Sequence, residues 1–444
     1  MGNLIHINMS LFLSNFASMM VFPAMMDVTM AALCPGKDEC ALVIYLSGFQ
    51  QSIIGLGMVM MMPLIGNLSD IYGRKQMLTF PMTLSIIPLV ILACGRTKNF
   101  FYAYYVLKIL TGMLTGGSLL CLAVAYVADI TTEDKRAAAL GMVMGFLCAS
   151  SIGATLVARV LSSDTMFQVA PVISLMALVY MRVFLKESNI SNHNEHLERP
   201  ILTNSGLENC GLSDVESSRK ARPSRKIPSI KDFILLVRRS RIFSLAVVIT
   251  FFNSLAESAL EGAAMYFFKA RLHYNKDEFA NIITILGIVG IVDQIILVPI
   301  LIRFIGEYKL LSYSLISGFL STLVYSVAWA TWVPYVVATF SIFPIGVTCL
   351  TSIMSKQFGR DEQGMAQGCI SAISSFASII SPMIFSTLTD LFLSDKAPFD
   401  YPGFSILCVG ITMLIALIPS LLIEFDASGS SDNVVISNDD CIEP

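Results

Sequence analysis

The sequence predicts an all-α membrane protein, with twelve transmembrane helices arranged as two six-helix halves. Three observations carry this expectation. Of 444 residues, 55% are hydrophobic and only 14% charged, whereas a soluble domain carries about a quarter of its residues as charges. A water-exposed chain of that composition would leave large apolar areas uncovered. Runs near the ~20 apolar residues that a helix needs to cross a hydrocarbon core recur along the chain, and one long polar segment divides them six and six.

The first run, 7–33, carries Pro23 and Asp27 toward its end. No separate cleavable leader pattern precedes it, so it is expected to stay in the mature protein. The second, 44–66, carries Gln50 and Gln51 in its first part and ends at a glycine-rich basic loop. The third, 76–95, lies between Arg74-Lys75 and Arg96. The fourth, 100–128, contains Lys108 and three glycines, which spanning helices tolerate. The fifth and sixth, 137–160 and 165–185, complete a first half over residues 1–186.

Residues 187–240 are polar, rich in Ser, Asn and charge, and read as a cytoplasmic linker. Their last part, 230–237, reads as a short amphipathic surface helix. The second half, 241–424, holds the runs 241–267, 280–303, 309–329, 333–354, 364–388 and 403–424. The tail, 425–444, is Ser, Asn and Asp rich and is expected to be disordered.

Lys and Arg bias sets the expected orientation. With both termini in the cytoplasm, Arg74/Lys75, Lys135/Arg136, Arg303/Lys309 and Lys356/Arg360 fall inside, against Arg96/Lys98 and Lys269/Arg271/Lys276 outside. The net charge of -3 gives no basic face for nucleic acid. Most of the ten cysteines stand singly in apolar runs, as small buried hydrophobes do. Cys34 and Cys40 bracket a polar loop and are either a disulfide or two free thiols.

The loop between runs two and three reads Gly66-Asn-Leu68-Ser-Asp70-Ile-Tyr-Gly73-Arg74-Lys75. Gly66 permits close helix approach, Asp70 can pair with arginine, and Gly73 allows a tight reversal. A second stretch ends run four with Tyr126-Val-Ala-Asp129, followed by Glu133-Asp134-Lys135-Arg136. These segments resemble the signature loops of the major facilitator superfamily, in the tetracycline-resistance-like branch near the hippocampus-abundant-transcript-like proteins. The resemblance covers essentially the whole membrane portion. It implies a gate at the cytoplasmic mouth made by Gly66, Leu68, Asp70, Gly73, Arg74, Lys75, Asp129 and Arg136. Lys108 stands where the family often has an arginine tied to proton coupling; lysine keeps the charge but not the planar fork. In run five, Gly145-Phe-Leu-Cys-Ala149-Ser150 replaces the central glycine and proline of proton antiporters with alanine and serine.

Charges inside spans are costly, so each is a candidate functional site. In run seven, Thr250, Asn253, Ser254, Glu257, Ser258 and Glu261 fall on one helical face. At a rise of 1.5 Å per residue, Glu257 lies roughly 20–25 Å from the cytoplasmic end. Two carboxylates one turn apart repel, which makes one of them a candidate proton carrier or, alternatively, a member of a structural ion pair. Asp27 and Asp293 are further candidates, with either Lys108 or the polar residues of run seven as partners for Asp293. Gln50, Gln51, Asn253, Ser254 and Ser258 are candidate cavity residues. The serines of run eleven, Ser371, Ser374, Ser375, Ser378 and Ser381, read either as cavity hydroxyls or as small packing residues. No nucleotide loop, metal cluster or nucleophile arrangement is legible, so neither a cofactor, a metal nor enzyme activity is expected.

The expected function is secondary active transport of a small organic solute by alternating access, coupled to protons, by a monomer in the plasma membrane or an endomembrane. Acidic groups without a cavity arginine favour a neutral or cationic solute. A facilitative uniporter and a non-transporting receptor or scaffold on the same fold are the alternatives.

Overall fold

The computed structural model describes residues 2–33, 41–95, 97–188, 240–274, 276–359, 362–393 and 397–439. Cys34, Cys40 and the 230–237 segment lie outside these residues. Among the described residues there are twelve helical runs and no strand. We number them α1 (Gly2–Leu33), α2 (Ala41–Tyr72), α3 (Arg74–Cys94), α4 (Lys98–Thr115 and Ser118–Ile130), α5 (Glu133–Val160) and α6 (Ser163–Phe184). The second set is α7 (Arg241–Ala259 and Met265–Leu272), α8 (Lys276–Val292 and Val298–Ile305), α9 (Glu307–Ser326), α10 (Val333–Phe340 and Ile345–Lys356), α11 (Gln363–Leu393) and α12 (Phe404–Asp439).

Among the described residues, eleven of these runs are long and apolar enough to cross a membrane. The twelfth, α9, is diluted by Ser312, Ser314, Ser317 and Ser321, and packs along α12 and α10 instead of facing lipid on all sides. Each half has its own apolar core. Leu122, Tyr126, Leu140 and Met181 are buried in the first, and Phe243, Ile249, Leu311 and Ile353 in the second. Phe22, Phe304 and Phe340 stay three-quarters or more exposed, the outward apolar surface that lipid covers.

Three features depart from the sequence reading. First, α7 and α8 each contain a π-helical turn, Leu260–Ala264 and Asp293–Leu297. Both spans are apolar on most faces, so no sharp periodicity exists from which the extra residue of such a turn could be read.

Second, α10 is broken at 341–344. Pro344 has no N–H and cannot continue a helix through the preceding turn. The groups freed there find side chains: Ile342 N donates to Ser317 Oγ at 3.3 Å, and Gln294 Nε2 donates to the Pro344 carbonyl at 3.0 Å. Thr348 Oγ1 then donates to Gln294 Oε1 at 2.7 Å, so one amide of the α8 π turn holds the break and the helix that restarts after it.

Third, α12 runs to Asp439, past the point where the sequence suggests a disordered tail. Its membrane-length part ends at Asp426. A helix growing from a packed segment needs no new nucleus, so polar residues extend it without a nucleation cost.

The halves meet chiefly along two helix pairs, α2 with α11 and α5 with α8, with further contacts of α4 with α11 and of α5 with α10. Small residues set the approach. A Cβ on Gly66 would strike the Gly364 carbonyl, and one on Gly368 the Met62 carbonyl. On the other pair, a Cβ on Gly141 would lie 2.6 Å from the Gln294 carbonyl. Backbones this close exchange dispersion contacts that larger side chains forbid.

Candidate functional site

Near the start of α3, the residues of the glycine-rich loop form a buried latch. Arg74, 1% exposed, pairs with Asp70 one turn away and with Asp129 Oδ2 on α4 at 2.9 Å. Both Asp70 oxygens accept backbone N–H groups across the half–half boundary, from Gly364 and Met365 at 2.8 Å each. These are the unsatisfied donors at the N-terminus of α11, where a carboxylate is also favoured by the helix dipole. Arg136 crosses the same boundary, donating to the Ser355 carbonyl at 2.9 Å and to Ala128 at 3.2 Å. The halves are therefore held together at this latch end.

Gly73 turns the chain with φ +97°, a region that costs other L residues strain. There Lys75 N donates to the Glu187 carboxylate at 3.1 Å, and Ser188 Oγ donates to Asp129 Oδ2 at 3.1 Å. Glu187 and Ser188 thus join the latch, although the sequence reading assigned them to the linker. Leu68 is half-buried beside Asp70. The equivalent position of the second half has a plainer pair, Lys356 with Glu307 Oε1 at 2.9 Å.

Away from the latch lies a cavity of about 850 Å³ between the halves, within the range of sites that enclose small organic molecules. Met144, Thr250, Met354 and Gln367 line it toward the latch, and Gln51, Glu261 and Met383 toward the opposite end. The polar stripe of α7 faces it: Thr250, Asn253, Ser254, Glu257, Ser258 and Glu261 all line the wall. Asn253 hydrogen-bonds the Glu257 carboxylate. Ser254 Oγ and Ser374 Oγ are 2.6 Å apart, tying α7 to α11. Among the described residues lining the cavity, Glu257 and Glu261 are the charged side chains; no lysine, arginine or histidine is present.

The serines of α11 divide between their two readings. Ser371, Ser374, Ser375 and Ser378 line the cavity, while the fully buried Ser381 donates to the Leu255 carbonyl at 2.8 Å. Gln51 lines the cavity and its neighbour Gln50 does not. Lys108 is exposed and is not among the lining residues. Asp293 is buried at the α8 π turn, also outside the lining. Its Oδ2 has no hydrogen-bond partner among the described residues. The Asp27 side chain lies outside what the structure describes. Sequence reasoning missed Gln367, the deepest amide of the cavity; a glutamine one turn into an apolar span was the available signal. Among the described residues, no group of three or more His, Cys, Asp and Glu side chains could hold a metal ion.

Comparison with known proteins agrees with this architecture. A family profile described as Major Facilitator Superfamily matches residues 7–382. Multidrug resistance protein 2 of Bacillus subtilis (strain 168) is 26% identical over 377 residues, which are 83% of this chain and 85% of that protein. The Homo sapiens hippocampus abundant transcript 1 protein is 25% identical over 356 residues, 78% of this chain and 66% of that protein. Among solved structures, the human organic anion transporter MFSD10 (TETRAN) superposes with a TM-score of 0.75 at 15% identity, covering 94% of this chain and 98% of that one.

Proposed function

From the premise that this chain belongs to the major facilitator superfamily and is a multi-pass membrane transporter, we propose that it exchanges a small organic cation for protons. The observation that carries this reading is a cavity lined by two carboxylates and by no basic side chain among its described residues. A carboxylate in a membrane cavity holds either a proton or a cationic solute. Glu257 is the shared site and Glu261, one turn nearer the opening, is its entry partner. Mutual exclusion at Glu257 couples the two fluxes without any further proton carrier. Asp27, Asp293 and Lys108 are not needed for that cycle. The wall residues Gln51, Asn253, Ser254 and Ser258 orient the solute.

The latch end faces the cytoplasm in this reading, as the Lys and Arg bias suggests, and the structure corresponds to the outward-open conformer. Alternating access then requires the Asp70 and Arg136 contacts to break while the cavity closes on its other side. The name of the Bacillus relative is consistent with organic drugs as solutes. The anion carried by MFSD10 belongs to that protein, since 15% identity conveys the fold alone.

The test is uptake into proteoliposomes of purified protein, with a panel of organic cations, anions and neutral solutes and an imposed pH gradient. Cation uptake driven by the gradient is expected to fall at least tenfold in Glu257→Gln. Flux indifferent to both pH and this substitution would assign facilitative uniport. No flux of any solute through folded, inserted protein would leave a receptor or scaffold role.

A further inference from the structure

Four hydroxyl groups of the cavity wall have their protons committed to the main chain. Ser375 Oγ donates to the Ser371 carbonyl at 2.8 Å, Ser378 Oγ to the Ser374 carbonyl at 3.0 Å, and Thr351 Oγ1 to the Val347 carbonyl at 2.7 Å. Ser258 Oγ turns to the Ser378 carbonyl at 3.5 Å, the longest of the four. A carbonyl only accepts, so each bond uses the single proton of its hydroxyl. What such an oxygen still offers a solute is a lone pair. All four residues line the cavity.

Two of them stand beside the carboxylates. The Ser254–Ser374 and Ser258–Ser378 contacts join α7 to α11 at a constant offset of 120 positions, which sets Glu257 level with residue 377, between Ser375 and Ser378. Glu257 and Glu261 are themselves acceptors when ionised. Donors are scarce there. Asn253 gives an N–H to Glu257, the Gln367 amide nitrogen is buried away from the cavity, and Gln51 stands toward the opposite end. The described residues lining the cavity also include no aromatic ring, and a ring face is what usually holds N-methylated cations.

We infer that the preferred solute is an aliphatic ammonium that keeps its N–H groups, a protonated primary amine, and not a quaternary ammonium. This rests on the proposed cation transport and narrows its solute class. A primary ammonium presents three donors on one nitrogen. Seated at Glu257, it gives one to the carboxylate and the others to serine oxygens of α7 and α11. A quaternary ion carries the same charge but strips water from these acceptors and returns no hydrogen bond. Discrimination of this type is steep because polar groups of the site are left unpaired by the wrong solute.

Three singly charged probes test it: butylammonium, butyldimethylammonium and butyltrimethylammonium, with three, one and no N–H groups. Their affinities for the purified full-length protein are measured by titration calorimetry at pH 7. Methylation adds apolar area, so burial alone would tighten binding along the series. The expected order is the reverse, with a loss of about tenfold or more from the primary to the quaternary ion. Replacing two acceptors together, Ser375→Ala with Ser378→Ala, should weaken butylammonium about fivefold and leave the quaternary affinity within about twofold. A folding defect would weaken both ions alike. Equal or tighter binding of the quaternary ion by wild type, or a preference undiminished in the double variant, overturns the inference and leaves cation transport standing. Binding of none of the three, or binding indifferent to Glu257→Gln, overturns the cation reading itself.

Discussion

Asp70 ties the latch of one half to the other. It holds Arg74 within its own half and two N–H groups of the other half at once. Charge-assisted bonds of this kind are roughly twice as strong as neutral ones. Asp70→Asn keeps the shape but leaves at most one acceptor oxygen for two donors. The latched conformer should lose about 2 kcal/mol relative to the open-latch one. Spin labels on the latch ends of α2 and α11 would then show a longer-distance population that is minor in the wild type. Gly73 makes a smaller contribution: Gly73→Ala places a side chain at φ +97° and costs about 1 kcal/mol, read as a lower thermal midpoint.

The informative elements are the interrupted ones. α8 and α10 are each interrupted, and Gln294 joins the two interruptions by donating to Pro344 and accepting from Thr348. Gln294→Leu leaves a buried carbonyl and a buried hydroxyl unpaired, which should cost about 2–4 kcal/mol. That loss appears as a fall in thermal midpoint of the purified protein, with cation selectivity unchanged because Gln294 does not line the cavity. The π turn of α7 includes Glu261 and begins just beyond Glu257, as such turns often do at functional sites.

At the scale of the whole molecule, the two halves pack along two glycine-faced seams. Backbones touch at Gly66, Gly364 and Gly368 on one seam and at Gly141 on the other. A larger side chain there wedges the halves apart at the latch end without disturbing either half's own core. Gly368→Leu should reduce exchange more than tenfold and shift the spin-label distances in the same direction as Asp70→Asn. Retention of wild-type exchange in that variant would contradict a rocking motion about this seam. Interfaces of this kind have two packed arrangements and are not continuously deformable.

Much of this protein was legible in the sequence because membrane insertion imposes local rules. Apolar length is set by bilayer thickness, and a polar stripe on α7 has no tolerable place but a cavity. The helical runs, the six–six division and the cavity position of Glu257 follow from those rules, whereas the latch residues were legible only through their resemblance to a family's signature loops. Three things were decided only by tertiary structure. Asp70 finds its partners 294 and 295 positions away, on a helix N-terminus whose own sequence shows no such need. Of two adjacent glutamines, Gln51 lines the cavity and Gln50 does not, because helix rotation is set by packing against neighbours. Gln294 finds its partners Pro344 and Thr348 50 and 54 positions away, and hydrogen-bond satisfaction is a property of three-dimensional surroundings that no spacing along the chain encodes.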